Sequence, residues 1–222
     1  MSIKSWDEID TVLLDMDGTL LDLHFDNYFW EHYVPQRYAE VHSKTAADAN
    51  ELIKGMYTQV YGSLNWYCMD YWSERLNLDI DELKREVAHM IKERPHTLDF
   101  LRALQQADKR AVLITNAHQK SLAIKLEKTA IGEHLDRIIC AHDHAAPKEE
   151  ALFWQRLQQD EPFDPARTLF IDDTESVLQA AHDFGIKFLL TLKQPDSKRP
   201  LRNAGNFRSI HHFDEIMPPA ND

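Results

Sequence analysis

Short apolar runs, rich in β-branched residues, punctuate the chain at Thr11–Asp17, Arg110–Asn116, Asp136–His142, Thr168–Asp173 and Lys187–Leu192. Each has the length and character of a buried strand. Between them, apolar positions recur three and four apart, which predicts helices over Leu98–Asp108, Ser121–Ile131, Glu149–Asp160 and Ser176–Phe184. Strands alternating with helices predict an α/β domain with a Rossmann-like, mainly parallel sheet and right-handed crossovers.

The stretch between Thr19 and Thr115 is far longer than one crossover helix requires. From about Asn27 to Arg94 it carries no strand pattern. Met56, Val60, Leu64, Tyr67 and Tyr71 recur at helical spacing, which predicts one face of a helix. This is the pattern of a helical cap inserted after the first strand. Residues 23–94 form that unit, and 1–22 with 95–222 form the α/β core. Pro95 marks the return, since a proline disfavours helix in the residue before it. The tail from Gln194 onward, proline-rich and mixed in charge, is expected to be irregular apart from a short helix or turn near its end.

Composition narrows the function. The 222 residues are 43% hydrophobic and 28% charged, as expected of a folded chain with a solvated surface. The net charge of −12 argues against a nucleic acid polymer as partner, because phosphate backbones are held by clustered Lys and Arg. A single small phosphorylated molecule remains compatible, if a metal ion supplies positive charge locally. The two cysteines, Cys68 and Cys140, lack CxxC spacing and suggest neither a disulfide framework nor a thiolate metal site. Residues Met1–Asp10 lack a signal-like apolar core, and no apolar run approaches the roughly 20 residues that span a bilayer. The expected location is cytoplasmic, with no membrane partner.

Four segments carry candidate chemistry. Asp15-Met16-Asp17-Gly18-Thr19 closes the first strand with two carboxylates and a glycine that permits a tight turn. Thr168-Leu169-Phe170-Ile171-Asp172-Asp173 again ends a strand in a carboxylate pair. Alone, the first reads equally as a turn and the second as a helix cap. Together, as neighbours in one sheet, they concentrate negative charge that only a cation relieves, and oxygen-only ligands favour Mg²⁺. Thr115-Asn116 places a hydroxyl and free backbone N–H groups at a strand end, suited to phosphate. Lys148, in Ala146-Pro147-Lys148-Glu149, stands at a helix start, where a cation is disfavoured by the helix dipole.

In the order Asp-x-Asp, Thr, Lys, Asp-Asp, these segments resemble the four motifs of the haloacid dehalogenase-like hydrolase superfamily. One departure is Glu149, where many members have proline. The resemblance implies strand order 5-4-1-2-3 with a helical cap, and a Mg²⁺-dependent phosphatase. In it, Asp15 is the nucleophile and Asp17 the general acid and base. Lys148 stabilises charge, and Thr115 with the Asn116 backbone N–H grips the phosphoryl group. The metal ligands implied are the Asp15 side chain, the Asp17 backbone carbonyl and Asp173, with Asp172 binding through water or orienting Lys148. Asp17, Asp172 and Asp173 together argue against dehalogenation, which needs neither a proton donor nor a metal.

The cap is rich in aromatics: Phe25, Tyr28, Phe29, Trp30 and Tyr33 early, then Trp66, Tyr67, Tyr71 and Trp72. Most are expected to pack helices together, and one or two could stack on a base. The strings Leu23–Trp30 and Leu64–Glu74, with Thr115–His118 and Phe170–Asp173, resemble the superfamily's bacterial GMP/IMP 5′-nucleotidases. That implies purine nucleoside 5′-monophosphates as substrates. Sugar-phosphate hydrolysis, phosphomutase activity and non-catalytic binding of nucleotide and metal stand as alternatives. Asp26, Asn27, Asn65 and His118 are polar positions near these strings. His142-Asp143-His144 and His211-His212 lack a complete zinc-ligand spacing and are read as surface or structural.

Overall fold

The computed structural model describes residues 6–203 and 205–219. Strand β1 (Thr11–Leu14) lies at the centre of a six-stranded sheet. It is flanked by β2 (Arg110–Thr115) and β4 (Thr168–Ile171). Beyond β2 lies β3 (Arg137–Cys140), and beyond β4 lie β5 (Phe188–Leu192) and then β6 (Arg208–Ile210). Every pairing is parallel. The expected order is present in the run β3-β2-β1-β4-β5, extended at one edge by β6.

Alternate residues of the strands enter two apolar layers. Leu13, Val112, Ile114 and Phe170 pack with Phe153, Trp154 and Leu157 of α9 (Ala151–Asp160) and with Val177, Leu178 and Ala181 of α10 (Glu175–Phe184). Val12, Leu14, Leu113 and Ile171 pack on the other face with Phe100, Leu101 and Leu104 of α7 (Thr97–Gln106) and with Leu122 and Ile124 of α8 (Gln119–Lys128). A sheet covered on both faces must be apolar at nearly every position, which is why its strands read as runs and show no polar alternation.

Strand β6 lies in the tail expected to be irregular. It has only three residues, too few for a periodic signal, and its ladder to β5 is made by backbone groups. Ile210 and Phe213 are fully buried there, and Phe213 stacks on Phe100 with centroids 4.7 Å apart. Buried Arg94 binds the returning chain by donating to the carbonyls of Gln194, Pro195 and His211.

Between β1 and β2 the chain runs through α1 (His24–Tyr28), a π-helical stretch (Phe29–Tyr33), α2 (Val34–Val41), α3 (Ala46–Val60), α4 (Leu64–Tyr67), α5 (Met69–Leu76) and α6 (Ile80–Glu86). The continuous helical face expected from Met56 to Tyr71 is instead divided among α3, α4 and α5. Gly62, at φ +77°, turns the chain between the first two. Met56, Val60 and Tyr71 nonetheless pack against one apolar cluster, so their spacing records a shared destination. That cluster also contains Phe25, Phe29, Trp72 and the α7 side of the sheet, so these helices and the sheet share a core. Pro95 is exposed two residues before α7, where the chain rejoins the sheet. Among the described residues no helix is long and apolar enough to cross a membrane.

Trp154 is fully buried, and its Nε1–H donates to the Lys148 carbonyl at 2.8 Å. Trp154→Ala should lower unfolding free energy by about 3–5 kcal/mol, measured by urea denaturation.

Candidate active site

The register of the central strands decides where the chemistry collects. Leu14 pairs with Ile171 on β4, so the residues that follow emerge side by side at the carboxyl edge of the sheet. Asp15 Nα–H donates to the Ile171 carbonyl at 3.0 Å, locking the two strand ends together. One carboxylate oxygen from each of Asp15, Asp172 and Asp173 lies within 4.8 Å of the others, and all three residues are buried. The turn after β1 depends on Gly18, which sits at φ +87°. A Cβ there would come within 2.6 Å of Asp173 Cγ.

Lys148 enters from the loop before α9. Its Nζ donates to Asp15 Oδ1 at 2.6 Å, to Asp172 Oδ2 at 2.7 Å and to the Ile114 carbonyl at 3.1 Å. The loop is braced from both sides. Asn116 Oδ1 accepts from Lys148 N–H at 2.9 Å, and Trp154 holds the Lys148 carbonyl. Asn116 Nδ2 donates to Glu149 at 2.9 Å, and Glu149 accepts from the Tyr67 hydroxyl at 2.8 Å. Glu149, which departs from the common family pattern, therefore ties β2 and α4 to the lysine loop. Thr115 is buried at the end of β2, its Oγ1 accepting from Ala117 N–H at 3.0 Å.

Burial dominates the titration of this cluster. It pushes the Asp15 carboxyl up to about 7, against the pull of Lys148 and with help from Asp172 and Asp17. Asp173 rises to about 7 by burial and the Asp15 charge, against Arg202 and Lys148. Asp172 rises to about 6 by burial, with Lys148 opposing and Asp173 adding. Lys148 is raised: Asp15 and Asp172 overcome the lowering effect of burial. Arg202 donates to the Asp173 backbone carbonyl and stands 3.6 Å from its carboxylate. Asp15 Oδ2 is buried with no hydrogen-bond partner among the described residues. Three buried carboxylates, one of them with an unpartnered oxygen, form an oxygen donor set that fits a hard divalent cation, with the Lys148 ammonium beside them.

Asp17 belongs to a second buried network that the motifs did not reveal. Lys125 Nζ lies 2.5 Å from Asp17 Oδ1 and 2.7 Å from Asp26 Oδ2. Lys84 Nζ lies 2.9 Å from Asp26 Oδ1 and sits 5.2 Å from the centroid of the Phe29 ring. Burial would raise Asp26, yet Lys125 and Lys84 hold it down to about 2. Asp17 is raised, by burial and then by the Asp26 charge, with Lys125 opposing. The only trace in the sequence is a lysine on an otherwise apolar face of α6 and of α8, indistinguishable from a snorkelling surface lysine.

Beside Asp17 opens a cleft of about 320 Å³. Trp30, Tyr57, Trp66, Tyr67 and Trp72 line it, with Asp26, Asn27 and Lys84 among its polar residues. Tyr57 stands edge-on to Trp66 and Trp72, with centroids 5.3 and 4.9 Å away. Its hydroxyl donates to the Trp30 carbonyl at 3.0 Å, and Trp72 Nε1–H donates to the Trp66 carbonyl at 2.9 Å. The expectation that most cap aromatics pack helices holds for Phe25 and Phe29, which are fully buried. Of the polar positions noted in sequence, Asp26 and Asn27 face the cleft, whereas Asn65 is exposed and His118 is absent from its walls.

Residues 12–191 match the profile of the family described as haloacid dehalogenase-like hydrolase. The chain belongs to that family. It is 42% identical over 214 residues to the GMP/IMP nucleotidase YrfG of Escherichia coli (strain K12), covering 96% of each chain, and equally to that of Shigella flexneri. Among solved structures it is similar to a HAD phosphatase from Thermococcus onnurineus, with TM-score 0.77 and 19% identity over 94% of this chain and 96% of that one. It is also similar to CbbY from Rhodobacter sphaeroides in complex with phosphate, with TM-score 0.66 and 14% identity over 94% and 96%. At these identities the structural likenesses establish the fold alone.

Two glycine substitutions should separate the role of the turn from general tolerance. Gly18→Ala combines a left-handed backbone with a clash against Asp173, and should destabilise by at least about 1–2 kcal/mol. Gly55→Ala, inside α3 with no atom within 4 Å of the added methyl, should stabilise by about 0.5–1 kcal/mol. Urea unfolding of both variants checks the pair.

Proposed function

We propose that the chain is a Mg²⁺-dependent phosphomonoester hydrolase that forms an aspartyl phosphate on Asp15, with the purine nucleoside 5′-monophosphates GMP and IMP as substrates. The observation that carries this reading is Asp17: it stands two residues from Asp15 and at the same time lines the aromatic cleft. Reaction centre and base-sized pocket therefore meet at one residue. The 42% identity to a GMP/IMP nucleotidase supports the choice of base.

The helices over 23–94 act as the cap in this proposal, and 1–22 with 95–222 as the core. The base lies among Trp30, Tyr57 and Trp66, rings suited to stacking. The phosphate lies over Asp15, gripped by the Thr115 hydroxyl and the Asn116 backbone N–H. The Asn116 side chain is already committed to Lys148 and Glu149. Mg²⁺ would be held by the Asp15 side chain, the Asp17 backbone carbonyl and Asp173. Asp172 is engaged by Lys148, which supports a role in orienting that lysine. The cation supplies the positive charge that allows the clustered carboxylates to ionise together.

Asp15 attacks phosphorus, and the bond from phosphorus to the 5′-oxygen breaks. Asp17, whose carboxyl is raised by burial and by Asp26, gives its proton to that leaving oxygen. Lys148 offsets the repulsion between Asp15 and the phosphate. Asp17 then takes a proton from water as the water attacks the phosphorus, which releases inorganic phosphate and restores Asp15.

A screen of phosphorylated metabolites for free phosphate should show Mg²⁺-dependent release from GMP and IMP well above sugar phosphates. Release from sugar phosphates alone, or transfer to a second hydroxyl, would overturn the substrate assignment. Asp15→Asn should abolish turnover with the far-UV circular dichroism unchanged, and Asp17→Asn should lower kcat by roughly 10²–10⁴-fold.

The titration of the cluster gives a second test. With Asp15 and Asp173 raised to about 7 and Asp172 to about 6 from an ordinary 3.8, the folded state holds more protons than the unfolded one across that window. Their contribution is present in full below about pH 4 and is lost as pH rises toward 7 in the absence of metal. Mg²⁺ should therefore raise Tm more at pH 8 than at pH 5, read by thermal unfolding against an EDTA control. Equal shifts at both values would remove the cluster as the Mg²⁺ site.

A further inference from the structure

Besides the three aspartates, one other group of described side chains gathers metal-binding atoms: Cys68, His118 and His142, each offering one donor atom within 4.8 Å of the others. The three come from separate parts of the chain. Cys68 is the N-cap of α5, where its Sγ accepts from Tyr71 N–H at 3.4 Å. His118 is the N-cap of α8 on the loop after β2, where its Nδ1 accepts from Lys120 N–H at 3.4 Å. His142 lies in the turn after β3, with its ring 5.1 Å from that of His118 and edge-on to it.

Two further observations point to a ligand here. His142 Nε2 is buried and has no hydrogen-bond partner among the described residues, a costly state for an aromatic nitrogen that a bound cation would relieve. The Asn116 backbone lies close enough to that ring to favour its N–H form, the kind of support that metal-ligating imidazoles commonly have. Burial also lowers both histidines, which favours the neutral imidazole that a metal needs; His142 Nε2 is unpartnered, and binding at His118 would take the lone pair now in a long 3.4 Å contact with Lys120 N–H. Nearby Asp70 has Oδ2 3.6 Å from His118 Nε2, is exposed and is paired with Lys120. It stands within reach as an outer partner or a fourth ligand.

We propose that Cys68, His118 and His142 form a binding site for a borderline-soft divalent cation, Zn²⁺ foremost, that joins the start of α5 to the loops after β2 and β3. One sulfur and two imidazoles are the donors that such an ion prefers, whereas Mg²⁺ prefers oxygen. Tetrahedral bonds of about 2.0–2.3 Å set donors about 3.3–3.8 Å apart, so adjustments of about 1 Å close the site. On binding, the Cys68 S–H bond breaks, its proton goes to solvent, and the thiolate binds the metal. Tyr67 and Met69 flank Cys68, Ala117 precedes His118, and all three line the aromatic cleft, so the ion would tie the cleft's two sides together. The sequence spacing hid this site, because its ligands meet only where the start of α5 comes against the loops after β2 and β3. The inference does not rest on the substrate assignment.

The test is titration of the full chain, freed of metal with EDTA and then held in excess Mg²⁺, first with Co²⁺ and then with Zn²⁺. A single saturable site with a thiolate-to-cobalt charge-transfer band, bleached by Zn²⁺, is expected, together with a Zn²⁺-dependent rise in Tm. Cys68→Ser retains a capping oxygen for α5 yet should lose the band. It should also weaken Zn²⁺ binding by at least the roughly 10–100-fold that loss of an outer partner costs. His142→Ala should do the same, with circular dichroism confirming both folds. Cys140→Ser, whose thiol donates to the Ala117 carbonyl at 3.0 Å, and Asp15→Asn should keep the band. Absence of the band in the unmodified protein, or its survival in Cys68→Ser, would overturn the proposal. So would Zn²⁺ binding that Asp15→Asn weakens and Cys68→Ser leaves intact, since that places the ion among the carboxylates.

Discussion

Three carboxylates and one ammonium, all buried, share the carboxyl edge of β1 and β4, and most of the surrounding structure follows from having to hold them there. Like charges so close repel, and burial raises the cost further. A buried ion pair of this kind is weak evidence for stability, because desolvation opposes the attraction. Its value lies in geometry. Lys148 is fixed through its N–H by Asn116 and through its carbonyl by Trp154, and Asp173 is approached by Arg202 from the tail. Gly18 supplies the one backbone that leaves Asp173 room.

A second network solves a related problem differently. Asp26, caught between Lys84 and Lys125, is held strongly ionised, while Asp17, beside the same Lys125, is raised. Neighbouring carboxyl groups pushed apart in this way can take separate roles, one as fixed charge and the other as proton carrier. The lysines belong to α6 and α8 and Asp26 to α1, so the network also pins the inserted helices to the loop that carries Asp17. The aromatic cleft opens directly beside it.

The donor chemistry divides the molecule into two regions. Oxygen atoms collect at the centre of the sheet edge, and sulfur and nitrogen collect where α5 meets the loops after β2 and β3. Hard and borderline-soft cations sort between such sets by ligand type. Each set has a chain neighbour in the cleft wall: Asp17 stands two residues from Asp15, and Tyr67 and Met69 flank Cys68.

Residues adjacent in the chain carry what the sequence alone determined. The apolar runs, the turns that end them and the paired aspartates are local features, so the α/β class, the central strands and the two aspartate pairs were legible without a structure, while Lys148 joined them only through the family resemblance. The resemblance to the haloacid dehalogenase-like hydrolases supplied the strand order that the structure then showed. The face from Met56 to Tyr71 misled because periodicity reports burial direction and is blind to a turn such as Gly62. Strand β6 was missed because three residues pairing through backbone carry no pattern. Only the tertiary structure decided that Glu149 braces the lysine loop, that Lys125 joins Asp17 to Asp26, and that Cys68 meets two histidines. Each of these contacts joins residues far apart in the chain. Their closeness is set by strand order and helix packing, and leaves no mark on the neighbouring sequence.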